Sequence, residues 1–259
     1  MAFIDFKFFS EALGMQTECY VVLPQKSSRG EIGIDNNREG VQYKCLYLLH
    51  GLSDDHTIWL RRTNIERYAT EYGICVVMPC GHRSFYTDMK QGGKYYTYIA
   101  KELPRIIREF FRVSDKREDT FIAGNSMGGY GALKIALKEH DTFGAAAGLS
   151  TAADVRSRSL TAGREELWKS IWGDPIEIPD EDDLFCLAEQ YEKCPNRPRL
   201  YMAVGTEDYL YEDNVKLRNK ITGLDYDYIY KEGPGAHNWA FWDTYIQDVL
   251  EWMFRTDAE

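Results

Sequence analysis

Short, continuous apolar runs alternate along this chain with amphipathic segments, and that alternation predicts an α/β fold, a mostly parallel central sheet with helices on both faces. Three observations carry the prediction. Runs such as Cys45–Leu49 and Ile74–Met78 are apolar at every position, as in strands buried on both faces. The segments between such runs place apolar residues at helical spacing: Ile65, Tyr68, Ala69 and Tyr72 in one, Ile99, Leu103, Ile106, Ile107 and Phe110 in another. Phe121-Ile122-Ala123 leads directly into Gly124-Asn125-Ser126-Met127-Gly128, and an amphipathic stretch with Leu133, Ile135 and Leu137 follows. Strand, sharp turn and helix in that order give a Gly-x-Ser-x-Gly sequence its meaning.

Taken in order, residues 3–9 and 18–23 read as two opening strands, the second ending at Pro24. Residues 25–40 are polar and turn-rich, a surface loop. Cys45–Leu49 is the first fully buried strand and ends in His50-Gly51-Leu52. Thr63-Asn64-Ile65-Glu66 has the pattern of a capping box at the head of a helix that Gly73 stops. Ile74–Pro79 is the next strand. Residues 84–98, aromatic but polar and containing glycines, sit where a cleft-lining loop follows a parallel strand, and ordinary loop packing accounts for them equally well. The helix after them is kinked or begun at Pro104. Beyond the Ser126 turn, residues 143–150 form a strand of small residues. The alternation then breaks over 151–197, where helices are expected at 164–172 and at 181–193, the latter capped by Asp180. Strands at 200–205 and 226–231 follow. Trp242, Tyr245, Ile246, Val249, Leu250 and Met253 mark a closing helix.

At 259 residues the chain suits a single domain, 1–259, with 151–197 as a lid-like insertion over the sheet edge or, equally, a packed structural excursion. A net charge of −10 argues against nucleic acid as a partner, because that requires basic patches. No apolar run approaches the length of a membrane span, so no membrane partner is expected. Met1–Phe9 interrupts its apolar residues with Asp5 and Lys7 and lacks a secretory h-region, so reduced cysteines in a cytoplasmic protein are expected. The six cysteines show no paired-ligand spacing, and no metal is expected. Aromatic residues at 14% suit a homo-oligomer interface and an aromatic pocket equally.

A serine on a strained turn, its hydroxyl clear of the sheet, is a nucleophile only when a base removes its proton and a carboxylate orients that base. On this architecture the order along the chain is serine, acid, histidine. Two histidines follow Ser126. His140 lies on the turn's own helix, carried some 20 Å away by the rise of about 1.5 Å per residue. His237 sits in a glycine-rich loop after the last strand and is the expected base. Asp208, three residues beyond the strand 200–205, is the expected acid. Glu207 should face the other way, and Asp213 reads as part of a solvated acidic loop. The backbone N–H groups of Leu52 and Met127 are the expected oxyanion donors. His50 is read as bracing its loop rather than moving protons.

His50-Gly51-Leu52-Ser53-Asp54-Asp55 with Trp59, Gly124-Asn125-Ser126-Met127-Gly128-Gly129-Tyr130-Gly131, Gly205-Thr206-Glu207-Asp208 and Gly235-Ala236-His237-Asn238-Trp239 together resemble the esterase D-like α/β-hydrolases. Within that family the chain is most similar to the tributyrin, acetyl- and feruloyl-esterase branch, over residues from about 3 to 254. The resemblance implies an α/β-hydrolase fold and a serine carboxylesterase without a cofactor, acting on small-molecule or glycan-linked esters of short acyl or feruloyl type. Residue by residue it implies Ser126, Asp208 and His237 as the triad and Leu52 and Met127 as oxyanion donors. His50, Trp59, Asn125, Tyr86 and Trp239 are the expected surroundings of the substrate. S-formylglutathione hydrolases of this group usually carry histidine before the nucleophile, where this chain has Asn125, which counts against a glutathione thioester. The same triad permits acyl transfer to a sugar. A binding protein on a hydrolase fold usually lacks a triad member, and none is missing here.

Overall fold

A computed structural model describes residues 1–25, 42–159 and 163–254. The eight strands are β1 (Ala2–Ser10), β2 (Met15–Leu23), β3 (Cys45–Leu49), β4 (Cys75–Pro79), β5 (Thr120–Asn125), β6 (Ala145–Leu149), β7 (Arg199–Gly205) and β8 (Tyr228–Gly233). They form one sheet in the order β1-β2-β4-β3-β5-β6-β7-β8. The β1–β2 hairpin pairs antiparallel to β4, and every pair from β4 to β8 is parallel. Each parallel step needs a crossover, and helices supply it.

The helices are α1 (Ile58–Arg62), α2 (Ile65–Tyr72), α3 (Tyr95–Thr97), α4 (Leu103–Phe110), α5 (Met127–Lys138), α6 (Val155–Ser159), α7 (Glu165–Trp172), α8 (Leu184–Tyr191), α9 (Tyr211–Thr222) and α10 (Trp239–Phe254). A π-helical turn, Tyr98–Glu102, joins α3 to α4, and Pro104 falls in the first turn of α4, immediately after that wider turn. Two cores flank the sheet. One packs Leu103, Leu133, Leu187 and Leu217 from α4, α5, α8 and α9; the other packs Trp59, Tyr68, Trp242 and Leu250 from α1, α2 and α10.

Several local expectations shift. The segment at 211–222 is helix α9 rather than loop, with Asp213 buried on it and bonded to Arg158. His140 lies in the turn after α5, which ends at Lys138. The cap of α8 is Asp183, which accepts from the Phe185 and Cys186 N–H groups at 2.8 and 3.1 Å; Asp180 instead pairs with Arg156. A 3₁₀ turn at Asp180–Asp182 displaces the helix start by three residues. At α2, Thr63 Oγ1 accepts from Ile65 N–H at 3.2 Å, but no side chain caps at Asn64. The loop expected at 25–40 lies, beyond residue 25, outside the described residues.

Candidate active site

The turn between β5 and α5 sets the site. Ser126 has φ 56° and ψ −117°, a left-handed backbone that a non-glycine residue holds only when its surroundings dictate it. Those surroundings are specific: Ser126 N–H donates to Leu149 O on β6 at 2.8 Å, and Ser126 O accepts from Tyr130 and Ala152 N–H, each at 3.1 Å. A Cβ on Gly124 would lie 2.5 Å from the Gly128 backbone, and one on Gly128 would lie 2.4 Å from Leu49 O. The two glycines let β5 and α5 close tightly on β3 at the turn that carries the serine.

Three side chains converge beside this turn. His237 follows β8 in the loop to α10, and its Nε2 lies 3.0 Å from Ser126 Oγ. Asp208, after β7, places both carboxylate oxygens 3.0 Å from His237 Nδ1. An ionised carboxylate only accepts, so Nδ1 carries the proton and Nε2 is left to accept from the serine hydroxyl. Burial pushes the Asp208 carboxyl up, but hydrogen bonds from His237 and the Leu210 N–H outweigh it, and the carboxyl sits below its ordinary range. Glu207 turns outward and accepts from Gly235 N–H at 2.5 Å. The imidazole is held on its flanks by Tyr209 and Trp242, with ring centroids 4.5 and 4.9 Å away.

Leu52 and Met127 line the same pocket, of about 790 Å³, as Ser126 and His237. Met127 opens α5, so its N–H has no acceptor within the helix. A Cβ on Gly51 would stand 3.7 Å from Ser126 Cβ, which sets the loop after β3 against Ser126. That loop is firmly braced. His50 Nδ1–H donates to Gly51 O at 2.7 Å while its Nε2 accepts from Gly81 N–H at 2.9 Å. Tyr86 O–H donates to His50 O and Trp59 Nε1–H to Leu49 O, both at 2.9 Å.

Of the residues expected around the substrate, Asn125 and Trp239 line the pocket. His50, Trp59 and Tyr86 do not; all three are buried behind its wall and hold its shape. Asn125 is fully buried, and neither amide atom has a partner among the described residues. Sequence reasoning passed over Arg83, Arg158, Arg164 and Tyr209, which also line the pocket. Nothing in their spacing marks them: a charged residue in a loop or insertion reads as solvated surface.

A serine, an imidazole and a carboxylate in one hydrogen-bonded chain at the C-terminal edge of a mostly parallel sheet define a serine hydrolase of the α/β-hydrolase fold. A family model described as "Putative esterase" matches residues 10–253. The chain is 31% identical to an acetyl esterase of Caldicellulosiruptor saccharolyticus, over 98% of this chain and 99% of that protein. Its fold is similar to that of the substrate-bound fluorophosphonate-binding serine hydrolase F of Staphylococcus aureus, with a TM-score of 0.89, 33% identity, and coverage of 98% and 99%. It is also similar to an S-formylglutathione hydrolase (FrmB) from S. aureus, with a TM-score of 0.85, 34% identity, and coverage of 98% and 99%. The chain belongs to this esterase family and is a carboxylic ester hydrolase.

Proposed function

We propose that the chain hydrolyses short-chain acyl esters, acetyl esters first among them, through an acyl-enzyme formed on Ser126. The observation that carries this reading is the 3.0 Å approach of His237 Nε2 to Ser126 Oγ, with Nδ1 bonded to Asp208. Ser126 Oγ attacks the ester carbonyl carbon as its proton passes to His237 Nε2. The carbonyl oxygen becomes an oxyanion against the Leu52 and Met127 N–H groups, donors fixed before charge develops; such a donor is worth about 3 kcal/mol. The carbon–oxygen bond to the alcohol then breaks, and His237 returns its proton to the leaving oxygen. Water enters, gives a proton to His237 and attacks the acyl carbon, and Ser126 leaves with that proton as the acid departs. Asp208 keeps the imidazole in the tautomer that every step needs.

Replacing Ser126 with Ala is expected to lower turnover of p-nitrophenyl acetate by several orders of magnitude and to abolish labelling by a fluorophosphonate. Near-normal hydrolysis by that variant would overturn the reading. The 34% identity to an S-formylglutathione hydrolase favours a second reading in which the leaving group is glutathione thiolate. Asn125 in place of the usual histidine weighs against it. Comparing kcat/KM for S-formylglutathione and p-nitrophenyl acetate separates the two.

A further inference from the structure

The protein carries a net charge of −10, yet the lining of its catalytic pocket is cationic. Three arginines, Arg83, Arg158 and Arg164, line it beside His82 and His237, and among the described residues Asp54 is the one carboxylate in the lining. Among the described residues, the guanidinium groups of Arg83 and Arg164 have no carboxylate or hydrogen-bond partner. Arg158 is paired at one end only. Its Nε–H donates to Asp213 Oδ2 at 2.5 Å, which fixes the side chain and leaves both terminal nitrogens unpartnered among the described residues.

Chemistry relates two of these cations to a bound ester through Tyr209, whose hydroxyl feels the charge of Arg158 and of Arg164. His237 must reach the leaving oxygen to protonate it, so the alcohol portion passes along the imidazole. Tyr209, 65% exposed, lies against that ring at 4.5 Å between centroids, and the Arg158 guanidinium carbon is 5.8 Å from the centroid of Tyr209. An alcohol leaving past His237 and Tyr209 therefore runs toward Arg158. Guanidinium groups bind carboxylate or phosphate oxygens in pairs of parallel hydrogen bonds, and a cleft concentrates their field.

Resting on the esterase reading, we propose that the preferred substrates are short-chain acyl esters whose alcohol portion carries an anionic group, a carboxylate or a phosphate, received by Arg158 and Arg164. Arg83 adds a third positive charge to the same pocket. The arginines determine which alcohol is accepted and take no part in the proton transfers.

The test compares kcat/KM for 4-acetoxybenzoate and 4-acetoxyphenyl phosphate with that for neutral methyl 4-acetoxybenzoate. The preference is read as the ratio of anionic to neutral substrate within each protein, so intrinsic differences in leaving-group reactivity cancel between proteins. Arg164→Gln is expected to lower that ratio about fivefold, the upper range for a solvent-open ion pair. Arg158→Gln combined with Asp213→Asn, which leaves no unpaired acid behind, is expected to lower it comparably. Added salt should shrink the wild-type ratio but not that of a triple variant lacking both arginines and Asp213. The arm with the larger loss, carboxylate or phosphate, identifies the anion. An unchanged ratio in these variants overturns the inference while leaving the esterase intact. So does a larger Arg164→Gln loss on a p-nitrophenyl hemisuccinate, whose charge lies on the acyl side. If the wild type hydrolyses none of these esters and Ser126 resists fluorophosphonate, the esterase reading itself fails, and the inference with it.

Discussion

Ser126, His237 and Asp208 were legible one residue at a time because each carries a constraint that spacing alone can express. The serine needs glycines two positions to either side, where any Cβ would strike the Gly128 or Leu49 backbone. The histidine needs a loop after the last strand, and the acid a loop after the strand before it. Arg158 and Asp213 were not legible, since their pairing across 55 positions depends on where α6 and α9 lie. Asp208→Asn is expected to lower kcat by a factor on the order of 10⁴, because an amide can donate to Nδ1 and so favour the wrong tautomer. The same change should alter acid stability. The folded Asp208 carboxyl titrates below its unfolded value, near 3.9. Its stabilisation is therefore complete well above that value and is lost as pH falls from about 5 through the lower folded value. Urea unfolding of wild type and variant across this range should show the variant with the shallower decline; parallel curves would remove Asp208 from the account.

At the scale of elements, the alternation of runs marked every strand, but the supports of the pocket wall stayed hidden. Lys134 on α5 has no exposed surface, and its three N–H groups meet three acceptors: Phe85 O at 3.3 Å, Thr87 Oγ1 at 2.6 Å and Asp182 Oδ1 at 3.0 Å. Asp182 also accepts from Trp172 Nε1–H at 2.9 Å, and its carbonyl accepts from Tyr130 O–H at 2.5 Å. Burial pushes this carboxyl up, but the Lys134 ammonium and the indole N–H hold it below its usual range. One lysine thus joins the nucleophile's helix to the 151–197 segment and to the left-handed turn at Phe85 and Tyr86. In the sequence it is an ordinary polar residue on an amphipathic helix. Lys134→Met should cost about 3–5 kcal/mol, because it strands a buried carboxylate. Adding Asp182→Asn should recover part of that loss. Chemical-denaturation midpoints measure both, and a neutral single variant would refute the coupling.

Across the whole molecule, the parallel sheet from β4 to β8 was expected from the alternation of strands with helices along the chain. Two opening strands were visible ahead of it, one in the alternation of Phe, Asp and Lys at Phe3–Phe9, but their antiparallel pairing as β1 and β2 was not. Long-range parallel pairing forms late, because each strand must wait for its crossover to close. Ser126 and His237 are 111 positions apart, and the imidazole is anchored beyond β8, the edge strand that pairs with β7. Refolding from urea should therefore recover most tryptophan fluorescence before fluorophosphonate reactivity returns, with the reactive serine appearing in the slowest phase. Recovery of labelling in an early phase would contradict that order. A ribosome making this chain would carry an inert polypeptide until the loop that holds His237 cleared the exit tunnel. Chemistry on esters would then switch on all at once, so nascent fragments ending short of His237 could not act on cellular acyl groups.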